Sequence, residues 1–162
     1  MEGKLLGVYR RSSLLRGLRM RRTDRRTLVA GMGGGIAAFV LPVPAAALSE
    51  AERHFIAEAA RMKREAVDGG DQPFGAVVVK DGLIVGYGPS RVVLDRNPDA
   101  HAERVALWDA QKRLGRKDMS GAVIYSTSRP CTACQEALAR ANIVRMYVGP
   151  EGADAGRPGR SS

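Results

Sequence analysis

The chain has 162 residues, enough for one domain with a modest core. Its formal net charge is +9. However, residues 1–30 hold nine Lys/Arg against two acids, residues 31–47 hold no charge, and residues 48–162 hold 17 basic and 15 acidic side chains. The basic excess belongs to the N-terminal segment, so the near-balanced remainder needs no polyanionic partner, which counts against a body built around polyanion binding.

The N-terminal segment has an internal order. Asp24-Arg25-Arg26-Thr27-Leu28-Val29 sets two arginines before a weakly apolar, glycine-rich run. Pro42 and Pro44 break that run, and Ala45-Ala46-Ala47 offers small residues to a peptidase. This resembles a twin-arginine export signal cleaved near Ala47. The alternatives are a disordered tail or an uncleaved anchor over Thr27 to Leu48, though three consecutive glycines make a poor spanning helix. Met20 is a second candidate start. The expected organisation is an extension and export signal over 1–47, one domain over 48–150, and a disordered, Gly/Pro/Ser-rich tail over 151–162. Export implies passage through the twin-arginine translocase to the periplasm or the exterior; without the signal the protein is cytoplasmic.

Ser49-Glu50-Ala51-Glu52 is a capping box that opens a helix. Phe55, Ala59, Met62 and Ala66 recur at helical spacing and form its core face, and Gly69-Gly70 end it. Phe74 to Lys80 reads as a buried strand, Asp81-Gly82 as a hairpin turn, and Leu83 to Tyr87 as the antiparallel return. A second helix spans about His101 to Leu114, with Gly115 as its C-cap. A strand follows over 122–127, then a helix from Cys131 to about Arg140 behind Pro130, then a strand over 143–149. The order implies an α/β fold whose mixed sheet, a hairpin plus parallel strands, carries helices on its faces.

The chemistry concentrates in two short stretches. His101-Ala102-Glu103 opens one helix, and 26 residues later Pro130-Cys131-Thr132-Ala133-Cys134 opens another. Each stretch alone is weak, because a C-x-x-C pair serves redox and metal sites alike. Together they have a logic. Side chains at the first turns of two helices can converge on one point, and a helix N-terminus favours thiolates. One His and two Cys leave a tetrahedral metal with an open position, the mark of a catalytic zinc. Such a zinc lowers the pKa of bound water toward about 7 and makes hydroxide available, and Glu103 is placed to take the proton.

H-x-E followed by P-C-x-x-C resembles the cytidine/deoxycytidylate deaminase superfamily of zinc enzymes. The stretches PFGAVVVKDG (73–82), NPDAHAE (97–103) and KDMSGAVIYSTSRPC (117–131) are most similar to its guanine deaminase branch, with the tRNA adenosine deaminase branch next. The resemblance implies a three-layer cytidine-deaminase-like fold with helices on both sheet faces. It implies one zinc per chain, held by His101, Cys131 and Cys134, and Glu103 as proton shuttle. The reaction implied is hydrolytic loss of an exocyclic amine from the cyclic amidine of a small nucleobase or nucleoside. Substrate contacts carry over to Phe74, Ala76, Ser90, Ala102, Arg129 and Pro130. Dimers or larger assemblies are a further implication.

The chain departs from that pattern in four places. Ser90 stands where those branches often have an Asn that holds the base. Arg129 stands where they usually have Glu, and Thr132-Ala133 replace the commoner Pro-Met. Finally, the usual C-terminal strand and helices are expected to be missing. Three alternatives stand beside a small-molecule deaminase: a tRNA adenosine deaminase, a truncated non-catalytic zinc binder, and a Cys131–Cys134 redox pair. Among the remaining candidates, His54 and Arg61-Met62-Lys63-Arg64 read as solvated helix surface and Trp108 as packing. Phe74 is divided between pocket and core.

Overall fold

The structure is a computed structural model that describes residues 47–159. The export-signal and anchor readings concern residues that lie almost wholly outside that span. Helix α1 (Glu50–Asp68) opens with the expected capping box: the Glu52 N–H donates to Ser49 Oγ, and the Ser49 N–H donates to the Glu52 carboxylate. Its buried residues are Phe55, Ala59, Met62 and Ala66, and His54 is exposed. Strands β1 (Gly75–Lys80) and β2 (Leu83–Pro89) form an antiparallel hairpin. Asp81 and Gly82 both have positive φ, 51° and 76°, which defines the type I′ turn expected of that pair.

Helix α2 (Ala102–Leu114) ends at Gly115 in the left-handed region. Strand β3 (Val123–Ser126) pairs antiparallel with β1, and helix α3 (Thr132–Arg140) crosses over to β4 (Arg145–Val148), which lies parallel to β3. β3 and β4 are shorter than the apolar runs that announce them. The Ala122 and Ile143 N–H groups bond to turn and helix-end carbonyls, Met119 O and Leu138 O, instead of a strand neighbour.

The expected disordered tail is corrected, and so is the expected absence of a C-terminal strand. Ala153–Gly156 form a fifth strand, β5, antiparallel to β4, and the sheet order is β2-β1-β3-β4-β5. The sequence ADAG has none of the β-branched or aromatic residues that signal a strand. β5 forms because β4 offers a free edge, and Arg145 ties the pair by an ion pair to Asp154 at 3.5 Å. Among the described residues no helix follows it.

Alternation along the strands builds three layers. Ala76, Val78, Ile124 and Met146 pack with α2 and α3 residues such as Leu107 and Leu138. Val77, Val79 and Tyr125 pack on the opposite face with Phe55, Ala59 and Met62 of α1. Tyr125 stacks on Tyr147 at 4.7 Å, and burial, helped by the Glu52 charge, raises its phenol to about 12.

Two glycines set how close α2 lies to the sheet. A Cβ at Gly86 or Gly88 would run into α2 backbone, at Ala106 O and Ala102 O respectively. Ala102 adjoins His101, so this contact also fixes the height of the site. Gly88→Ala is expected to lower the unfolding free energy by about 2 kcal/mol or more, read by urea denaturation, because backbone rather than a flexible side chain must yield.

Candidate active site

His101 and Cys131 occupy equivalent positions. Each is the N-cap of its helix, with extended backbone (φ −63°, ψ 152°; φ −65°, ψ 166°), and neither side chain caps its helix. A Ser or Asp there would turn its oxygen back onto the helix N–H groups. The His ring and the thiol instead project toward each other. Cys134, one turn into α3, is fully buried, and Cys131 is exposed. Both cysteines are free thiols.

His101 Nδ1 lies 3.6 Å from the Sγ of Cys131 and 3.6 Å from that of Cys134. All three donor atoms fall within 4.8 Å of one another. Tetrahedral zinc with Zn–S about 2.3 Å and Zn–N about 2.05 Å has an N···S edge of about 3.6 Å. The donor set therefore fits zinc in both chemistry and spacing. Two of the three donors, His101 and Cys131, also line a cavity.

That cavity has a volume of about 160 Å³. His101, Glu103 and Cys131 line it together with Gln72, Phe74, Ser128 and Arg129. Glu103, in the first turn of α2, is 4% exposed, and the buried Ser126 hydroxyl donates to its Oε1 at 3.0 Å. Phe74, 38% exposed, lies with the cavity and not with the core.

Other expected contacts are placed differently. Ala76 is buried against the α2/α3 face, and Ala102 is buried at the start of α2. Pro130 is buried, and its carbonyl accepts from the Gln135 side-chain amide at 2.9 Å. Ser90 is 1% exposed and donates its hydroxyl to Asp71 at 2.8 Å. None of these four lines the cavity. Trp108 is 39% exposed, with the Arg104 guanidinium 5.5 Å above its ring, so the packing expected of it is a surface stack.

Sequence reasoning missed Gln72, Ser128, Ser126 and Asp71. Ser126 had a signal: it falls on the inward face of a buried strand, where a hydroxyl needs a partner. Asp71 had a weaker one, as an Asp two residues before a proline at a strand entrance. Burial alone would raise the Asp71 carboxyl. The N–H groups of Leu94, Gln72 and Val93 and the Ser90 hydroxyl outweigh that and hold it below its ordinary value.

One expectation reverses. The α3 N-terminus was expected to favour thiolates. Burial first, and then the neighbouring Glu103 charge, push the Cys134 thiol well above its ordinary value. A metal ion held by this set would supply the positive charge that makes the thiol a thiolate, and its binding would release the proton.

The chain belongs to the family of the cytidine and deoxycytidylate deaminase zinc-binding region, which matches residues 49–150. Zinc is the cofactor of that domain, and hydrolytic deamination is its chemistry. Guanine deaminase of Bacillus subtilis is 35% identical over 106 residues, covering 65% of this chain and 68% of that protein. Its X-ray structure superposes with a TM-score of 0.58 at 32% identity, over 63% of this chain and 64% of that one. A tRNA-specific adenosine deaminase of Aquifex aeolicus is 34% identical over 95 residues, 59% of this chain and 63% of that protein. A solved structure from work on tRNA wobble-position adenosine-to-inosine editing has a TM-score of 0.58 and 35% identity, over 62% of this chain and 75% of that one.

Zinc affinity is expected to rise with pH, by about tenfold per unit for each proton released. The Cys134 thiol is protonated in the metal-free protein, so acid favours the empty site. Competition with a chromophoric chelator between about pH 6 and about pH 8 measures the slope, and a flat profile would contradict the proton release.

Proposed function

We propose that this protein hydrolytically deaminates a nucleobase or nucleoside, with Glu103 as its proton shuttle. The observation that carries the reading is that a buried, hydrogen-bonded carboxylate shares one cavity with His101 and Cys131, two members of the three-residue donor set that Cys134 completes. A zinc ion held there supplies the Lewis acidity that makes a water molecule acidic near neutral pH. Glu103 takes a proton from that water as its oxygen bonds to the amidine carbon. The carboxyl passes that proton to the ring nitrogen, then takes the remaining proton of the added hydroxyl and passes it to the amine, the C–N bond breaks, and ammonia leaves. The ring gains a carbonyl in exchange, so water in and ammonia out balance the step.

The Ser126 hydroxyl supports this role by fixing one Glu103 oxygen, which keeps the carboxylate aimed before substrate arrives. Phe74 offers an aromatic face to a planar ring. A small substrate is favoured by the near balance of charge in residues 48–162. A tRNA substrate is the second reading, motivated by the adenosine deaminase relative. Export through the twin-arginine route is part of the proposal; it favours the small-molecule reading, because tRNA is a cytoplasmic substrate.

Glu103→Ala is expected to keep stoichiometric zinc while losing about 10²-fold to 10⁴-fold in turnover. Zinc analysis beside an ammonia assay over free bases, nucleosides and tRNA reads both quantities. Undiminished ammonia release by the variant would remove Glu103 from the mechanism.

A further inference from the structure

Ser90, expected from the sequence to touch substrate, is withdrawn from the cavity. Its hydroxyl is committed to Asp71, and its N–H donates to Phe74 O at 3.1 Å. A cavity that takes a flat, polar ring needs groups that tell one ring edge from another. We propose that Gln72 is the base-reading residue of this site, with Asp71 as the positioning residue that holds it. This rests on the deaminase reading and adds to it the contact that selects the base.

Three observations support the assignment. Gln72 lines the cavity together with His101 and Glu103. The residue is half-buried, and its carboxamide has no hydrogen-bond partner among the described residues. Its backbone is held on both sides. The Gln72 N–H donates to Asp71 Oδ1 at 2.7 Å, and the Gln72 carbonyl accepts from the Phe74 N–H at 2.7 Å in a tight turn around Pro73.

Asp71 makes this local turn rigid. The same carboxylate that receives the Gln72 N–H accepts from Ser90 Oγ at 2.8 Å and from the Val93 and Leu94 N–H groups, each at 2.9 Å. Those donors belong to the loop that ends at His101, and the Arg91 N–H bonds to Ala100 O at 3.0 Å within it. One buried carboxylate therefore ties the Gln72 wall to the segment that delivers the metal ligand.

A carboxamide presents a donor and an acceptor side by side, which matches a ring nitrogen beside an exocyclic group. When a ring displaces water from the cavity, an unmatched Gln72 amide loses its partners. A ring with the complementary edge restores them. The difference appears as selectivity among bases rather than as uniform binding.

The test uses the zinc-loaded protein and compares wild type with Gln72→Leu and Gln72→Glu. Ammonia release is followed over guanine, adenine, cytosine and their nucleosides. Gln72→Leu is expected to retain full zinc and to lose about tenfold to hundredfold in kcat/KM on the preferred base, mainly through KM, with a smaller loss on the others. Gln72→Glu keeps an acceptor but loses the donor, so it is expected to change the order of preference. Equilibrium binding of the same bases to the Glu103→Ala background reads the contact without turnover. If wild type turns over a base and Gln72→Leu does so with an unchanged KM and an unchanged ranking, the assignment of Gln72 is overturned and the deaminase reading stands. An equal fall on every base also overturns it. If wild type neither binds nor deaminates any of them, both fail.

Discussion

The structure depends on two helix N-termini being brought face to face without their usual caps. His101 and Cys131 both sit where a Ser, Thr, Asp or Asn would normally close the helix, and both leave that task undone. Forgoing a cap costs about 1 kcal/mol per helix. The outcome is a histidine nitrogen 3.6 Å from two sulfurs, spacing that a tetrahedral zinc satisfies. Metal binding is worth far more than the lost caps, so a zinc ion held there would offset their cost. The raised Cys134 thiol expresses the same constraint: without a cation, the buried sulfur resists ionisation.

The rest of the fold holds those two ends in place. α2 lies directly on the glycines of β2, which sets the position of His101 and Glu103. α3 is the crossover between the parallel strands β3 and β4, so Cys131 follows five residues after Ser126, the last residue of β3. Ser126 in turn reaches Glu103 on the other helix. Asp71 closes the circuit by anchoring the loop that leads into His101. The hydrogen bonds are short, and the one from Ser126 to Glu103 is buried, where it is difficult to exchange for water.

Much of this was legible in the sequence because it rests on local rules. The capping box at Ser49, the Asp81-Gly82 turn, the Gly115 cap and the core face of α1 are written in adjacent or periodic residues. The metal donor set was legible because His101, Cys131 and Cys134 are of types that do little else together. What escaped depends on partners distant in the chain. β5 is defined by the free edge of β4 and not by its own ADAG sequence. Ser90 was read as a substrate contact, but Asp71, 19 residues earlier, claims it. Gln72 gives no sign of its place until the turn at Pro73 and the loop before His101 are both folded.

The central claim is a single zinc held by one histidine and two cysteines with a fourth position open to the cavity. Zinc-edge X-ray absorption on the purified, stoichiometrically loaded protein tests it most directly. The account predicts two sulfur ligands at about 2.3 Å and two nitrogen or oxygen ligands at about 2.0 to 2.1 Å, one of the latter lost on His101→Ala. A site with three or four sulfurs, or a protein that takes up no zinc with its two cysteines reduced, would contradict it.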